Sequence, residues 1–123
     1  MVESARKVLD LQVGDIFHAT AKDIECILCL ATAVEGCVVH GLDWCRGFEY
    51  AFDRATGQAI TGPGIDGCFI DSVALLPDTH RIALLGMSHR YRNVQSDADL
   101  RLTEAEKQAL LFSNSYYAER QLR

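Results

Sequence analysis

The pattern of apolar and polar positions changes character some way past the middle of the chain. Up to about residue 76, short runs are punctuated by turn residues roughly every ten positions, the texture of strands; beyond it the texture is helical. Leu11–Phe17 alternates, with Gly14-Asp15 as a bend leading into a strand. Ile24–Val34 is apolar on both faces and predicts a central strand. Phe48–Asp53 alternates strictly, with Phe48, Tyr50 and Phe52 on one face. Arg54–Gly57 then reads as a four-residue hairpin loop, Gln58–Thr61 as the returning strand, and Cys68–Leu76 as the last strand after a glycine-rich loop over 61–67.

Between the second and third runs, Glu35-Gly36 is read as a two-residue hairpin loop leading into Cys37–Cys45. That loop pairs Val34 with Cys37. It sets Glu25 opposite Arg46, Ile27 opposite Trp44, Cys29 opposite Leu42 and Ala33 opposite Val38, an apolar ladder closed by an opposite-charge pair. On the other face Cys26 meets Cys45 and Leu28 meets Asp43.

A helix is predicted over 77–92, because the shortage of β-branched residues there weighs against a further hairpin through Pro77-Asp78. Asn93–Arg101 is polar and reads as a linker. Thr103-Glu104-Ala105-Glu106 is a capping box that opens a helix over 103–121. Ala105, Ala109, Phe112 and Tyr116 form its apolar stripe, widened by Leu110 and Tyr117.

Five or six short antiparallel strands in meander order followed by helices make an α+β fold. The expected sheet is small and strongly bent, either closed as an SH3-like barrel or left open and curled, with the C-terminal helix over one face or end. The 123 residues have the length of one domain, with a β-rich part over 11–76 and the two helices after it. A core of that size forms without metal or disulfide staples.

The net charge of −5 is unevenly spread: residues 1–77 carry −6 and residues 78–123 carry +1. An acidic front half repels phosphate, which argues against a nucleic-acid surface there. The first ten residues lack the apolar run of a signal peptide, and the longest nearly apolar stretch, Cys26–Val34, is too short to cross a bilayer as a helix. The expected location is cytoplasmic, and in a reducing compartment the five cysteines are expected as buried thiols and not as a disulfide framework.

Spacing and context decide the candidate chemistry. Cys26-Ile27-Leu28-Cys29 has CxxC spacing, but it lies in a β-type run that points the two sulfurs to opposite faces, whereas a redox pair needs a helix N-terminus and a zinc knuckle needs a tight turn. His18, His40, His80 and His89 form no short-spaced ligand pair. Asp71, Ser72 and His80 are the residue types of a catalytic triad, yet Ser72 sits on a predicted strand without a nucleophile elbow. Carboxylates around Asp43, Glu49 and Asp53 are candidates for pairing. Gly62–Gly67 lacks the Lys-Ser/Thr of a phosphate loop and leads into a strand. No catalytic residue, metal or cofactor is therefore assigned.

One surface stands out. Arg81, His89, Arg90, Tyr91 and Arg92 combine arginines with a tyrosine, the anchors that protein interfaces favour; positive charge complementing a helix C-terminus explains Arg90 and Arg92 equally well. The expected function is a non-catalytic protein-interaction or self-association module. The alternatives are a small-molecule binder or enzyme using a barrel mouth around Asp43, Trp44 and Tyr50, and an RNA or single-stranded DNA binder through the Arg81–Arg92 region, which the overall charge disfavours.

Overall fold

A computed structural model describes residues 7–22, 24–43, 48–62, 66–92 and 103–121. The strands are β1 (Ile16–Ala21), β2 (Ile24–Glu35), β3 (Val38–Asp43), β4 (Glu49–Asp53), β5 (Ala59–Thr61) and β6 (Phe69–Ser72). Helices α1 (Asp78–Arg92) and α2 (Glu104–Ala118) follow, giving the expected α+β fold. All strand pairs are antiparallel, in the order β5-β4-β3-β2-β1-β6. The first five strands form the meander, and β6 returns to the free side of β1.

The sheet curls because its ladders are irregular. Register shifts interrupt β1–β2 at Ala19/Ala21, β1–β6 at His18/Ala19, β2–β3 at Ala31/Ala33 and β4–β5 at Ala51/Phe52, and each bulge adds local twist and bend. The curl brings the two edges together at an isolated bridge between Gln58 and Phe69. There Ala59 N–H donates to Cys68 O at 3.0 Å and Ile70 N–H to Gly57 O at 2.8 Å. The sheet is thus barrel-like, with an inward face formed by Phe17, Ala19, Ile27, Cys29, Ala31, Val39, Tyr50, Phe52 and Ile70. Phe17 and Phe52 meet edge to face with centroids 5.5 Å apart, and Tyr50 stacks beside Phe52 at 5.9 Å. Fully burying each such ring contributes about 2 kcal/mol.

The hairpin register departs from the expected one. Glu35 pairs with Val38, Val34 with Val39 and Ala33 with His40; beyond the bulge at Thr32, Leu30 pairs with Leu42 and Cys29 with Asp43. The loop residues are therefore Gly36 and Cys37, not Glu35 and Gly36. Gly36 has φ +59 and Cys37 has no positive φ, the pattern of a type II′ turn with glycine at its first central position. Glycine claims that position because a side chain there is strained, and the claim shifts the ladder by two residues at the turn. The expected pairs of Cys29 with Leu42, Ala33 with Val38 and Leu28 with Asp43 do not form. Those involving Trp44, Cys45 and Arg46 lie outside the described residues.

Two strand boundaries also move. Residues 12–15 make a turn, with Asp15 N–H donating to Gln12 O at 3.0 Å, so β1 starts at Ile16; Leu11 is buried ahead of it as part of the core. The last strand ends at Ser72.

The chain gathers into two compact units, residues 1–75 with 117–123 and residues 76–116. The second holds α1 and most of α2. Asp78 in the first turn of α1 complements the helix dipole and lies 3.2 Å from Arg81. The capping box of α2 forms as read: Glu106 N–H donates to Thr103 Oγ1 at 3.1 Å and Thr103 N–H to Glu106 Oε1 at 2.9 Å. His80 of α1 stacks on Phe112 of α2 with centroids 4.1 Å apart. The buried line of α2 runs through Glu106, Ala109, Ser113 and Tyr117, whereas Ala105 is exposed. Of the expected stripe, Ala109 and Tyr117 are buried and Leu110, Phe112 and Tyr116 half-buried; only Ala105 is exposed, and Glu106 and Ser113 join the buried positions. The expected linker over 93–101 lies outside the described residues.

Gly41 shows how tightly the barrel is filled. A Cβ there meets Phe17 Cζ at 2.7 Å and Cys29 Cβ at 3.2 Å. Gly41→Ala is therefore expected to lower stability by about 1–3 kcal/mol, as overpacking does. Gly86→Ala, in open space on α1, is expected to raise it by up to about 1 kcal/mol. Urea midpoints of the two variants check the contrast.

Candidate functional site

Cross-strand pairing builds a groove on the outer face of the sheet. Ala33 pairs with His40, His40 with Ala51 and Ala51 with Thr61, so one row crosses β2, β3, β4 and β5. The alanines leave the row low on either side of His40. The bulge at Thr32 turns Ala33 and Glu35 onto this face, and Thr32 Oγ1 donates to His40 O at 3.4 Å across it. The resulting cavity of about 490 Å³ is lined by Thr32, Ala33, Glu35, His40, Glu49, Tyr50 and Thr61. His40 Nε2 lies 3.6 Å from Glu35 Oε2. Glu35 and Glu49 stand on opposite sides of the row, so the groove carries two carboxylates and one imidazole on a floor of paired strands.

A second polar assembly is buried where β1 meets β6. Alternation turns Phe17 and Ala19 inward and leaves His18 and Thr20 on the other face. Ser72 pairs with His18 and Ile70 with Ala19, so Asp71 is the bulged residue between them. Its carboxylate lies 2.6 Å from His18 Nδ1 and accepts a hydrogen bond from Thr20 Oγ1. His18 is 7% exposed and Asp71 4%. The last turn of α2 covers the pair, with the Tyr117 ring stacked on His18 at 5.4 Å and Tyr117 OH donating to Ile16 O at 3.3 Å. Ser72 Oγ donates to Arg120 O at 2.9 Å.

Neither arrangement is legible in residue spacing. His80, nine positions after Asp71, belongs to the helical unit, and the partner of Asp71 is His18. The bulge that aims Asp71 leaves no trace in residue spacing. Pairing of Asp43, Glu49 and Asp53 fails for a simpler reason. Asp43 faces inward opposite Cys29 and is fully buried, and Glu49 is exposed on the outer face. Asp53 turns into its own loop, accepting Ala55 N–H at 2.7 Å and Thr56 N–H at 3.3 Å.

The proposed ligand pocket divides similarly. Tyr50 borders the groove while its ring packs in the core, Asp43 does not border it, and Trp44 lies outside the described residues. Arg81, His89, Arg90, Tyr91 and Arg92 all fall on α1. Helical spacing sets Arg92 about three turns from Arg81 on the same line and Arg90 about half a turn round from it, so one helix distributes them about its axis. Arg81 is half-buried beside Asp78; the side chains of the other four lie outside the described residues. Among the described residues, no three His, Cys, Asp or Glu side chains stand together as a metal site, and no helix is long and apolar enough to cross a membrane. Compared with protein families, curated proteins and solved structures, the chain matches none, so the geometry alone supports a functional reading.

Cys29 and Cys68 are buried thiols and Cys37, at the hairpin tip, is exposed. Burial, and then the Asp71 carboxylate nearby, push the Cys68 thiol up from 9.0 to about 11. Between those values the unfolded chain has lost a proton that the folded chain keeps, so stability falls as pH rises through the window. The Cys68 contribution is intact below pH 9 and falls by about 1.4 kcal/mol per pH unit above it. Cys68→Ala is expected to flatten the alkaline limb of stability against pH, measured by denaturation at pH 8, 9 and 10. Under native conditions iodoacetamide is expected to modify Cys37 and spare Cys29 and Cys68, as peptide mass mapping would show.

Proposed function

We propose that this chain is a non-catalytic interaction module whose recognition surface is the groove on the outer face of β2–β5, and that its occupant is a basic segment of a partner protein. The observation that carries the reading is the groove itself, a concave floor with Glu35 and Glu49 on opposite sides of His40. Two strand spacings across and four residues along place their Cα atoms about 16 Å apart. An extended segment spans that distance with lysines or arginines about four residues apart, the long side chains making up the remainder. The same carboxylates repel phosphate, which weighs against nucleic acid on this face. We read the curled sheet as an SH3-like small barrel, on the strength of its meander, the long bulged β2 and the bonded seam. Buried thiols at Cys29 and Cys68 suit a reducing, cytoplasmic setting. A barrel of this kind lends itself to many functions, so the reading rests on the groove and not on the fold.

Both carboxylates are exposed, so each ion pair contributes modestly, about 0.2–1 kcal/mol. Amide shift titration with ten-residue peptides bearing two lysines is the test. Movement is expected at residues 33–35, 40, 49–51 and 61, weakening with salt, and stronger for lysines four apart than adjacent. Glu35→Gln with Glu49→Gln should cost about 1 kcal/mol, roughly fivefold in affinity. Shifts confined to α1, or none at low salt, would overturn the assignment.

A further inference from the structure

The groove on β2–β5 finds a counterpart elsewhere in the same chain. Glu35 and Glu49 lie diagonally across the sheet, their Cα atoms about 16 Å apart and His40 midway between them. On α1, Arg92 follows Arg81 by eleven positions. A helix rises about 1.5 Å and turns about 100° per residue, which sets their Cα atoms about 16.5 Å apart and within about 20° of one line. Strand pairing fixes the acidic span and helical rise the basic one, and the two spans agree.

Between the arginines the same line passes through Leu85 and Ser88, at steps of four, three and four. The middle of the groove suits such a line, because Ala33 and Ala51 leave the sheet low on either side of His40. Arg81 is also available to a new partner. Its contact with Asp78 is one nitrogen at 3.2 Å, made three residues away on the same helix. A solvated pair of that kind exchanges one carboxylate for another at little cost. The charge of the chain divides along the same boundary. The groove belongs to residues 1–77, which carry −6, and α1 to residues 78–123, which carry +1, so the acidic part of one copy attracts the helix of another.

We infer that the occupant of the groove is α1 of a second copy of this chain, its Arg81 and Arg92 set on the two carboxylates, so that copies join head to tail. The inference rests on the groove as the recognition surface and names the basic segment it takes, a helix with arginines eleven positions apart in place of an extended stretch. Each copy offers one groove and one helix. Such a contact is heterologous, and it either closes into a ring or goes on adding copies. Its ion pairs stay in reach of solvent, so the association is weak, reversible and sensitive to salt.

Two charge-reversed variants of the full chain test it, alone and mixed. Glu35→Arg with Glu49→Arg makes the groove basic, and Arg81→Glu with Arg92→Glu makes the helix acidic. Sedimentation from about 10 µM to about 1 mM covers weak affinities. Over that range the unaltered chain is expected to grow past a dimer, and to do so less at about 1 M salt. Each variant alone is expected to associate at least about tenfold more weakly, because like charges then meet. The equimolar mixture is expected to recover growth, since each groove again finds a helix of opposite sign. Both variants keep a net negative charge, so attraction in the mixture comes from the paired sites. A mixture that stays monomeric while the unaltered chain associates overturns the inference, as does an unaltered chain that is monomeric throughout. Where a variant does not fold, the unaltered chain decides. On concentration its amide shifts are expected to move together at residues 33–35, 40, 49–51 and 61 and along 78–92, and an unmoved groove refutes the contact. Groove shifts on adding the two-lysine peptide, with no self-association, refute this inference and leave the groove reading standing.

Discussion

Phe17 needs the space that Gly41 leaves empty, and the barrel is arranged around that contact. A Cβ at position 41 would press on Phe17 Cζ and on Cys29 together, so β3 can lie across β2 and still admit a ring from β1 only where it carries no side chain. With Phe17 seated, Phe52 meets it edge-on and Tyr50 stacks behind, and the inward sets of β1, β2 and β4 share one core. A flat sheet cannot do this. Strands with inward rings converge only if the sheet bends, and the bends come from the register shifts along its ladders.

The inward alternation also decides what is left outside. Once Val39 and Gly41 face the core, His40 must face away, and with it its row partners Ala33, Ala51 and Thr61. Once Phe17 and Ala19 face the core, His18 and Thr20 must face away. The two outer faces then diverge. The β2–β5 face is open and carries Glu35 and Glu49 in the groove, whereas the β1–β6 face is covered by Tyr117.

Local signals in the sequence are reliable wherever one element determines its own geometry. The capping box of α2 needs only Thr103 and Glu106, three residues apart, and it forms as its spacing implies. The central strand is legible from its apolar run, and the loop Arg54–Gly57 from its glycine. The hairpin at Gly36 is harder, because Glu35-Gly36 and Gly36-Cys37 are both two-residue loops and only the sign of φ at the first central position separates them. The β1–β6 site is beyond local signals altogether. His18 and Asp71 are 53 residues apart, and whether Asp71 reaches the imidazole depends on one extra residue in β6. The α2 stripe is legible but for Ala105, which is exposed; Glu106 is buried with its carboxylate bonded to Thr103 N–H, and hydrophobicity alone cannot register that.

These failures of alternation coincide with the places where polar groups converge. The bulge at Thr32 brings Glu35 onto the face of His40 and opens the groove; the bulge at Asp71 aims a carboxylate at His18 and Thr20. Both bulges belong to the irregularity that lets the sheet curl, so removing either to regularise a ladder would flatten the barrel as well as dismantle a site. Curvature and chemistry are therefore not separable in this chain. A regular six-stranded sheet of the same composition would keep His40 and Glu35 on opposite faces and leave Asp71 in line with its strand, and it would have no curled core to hold either of them in place.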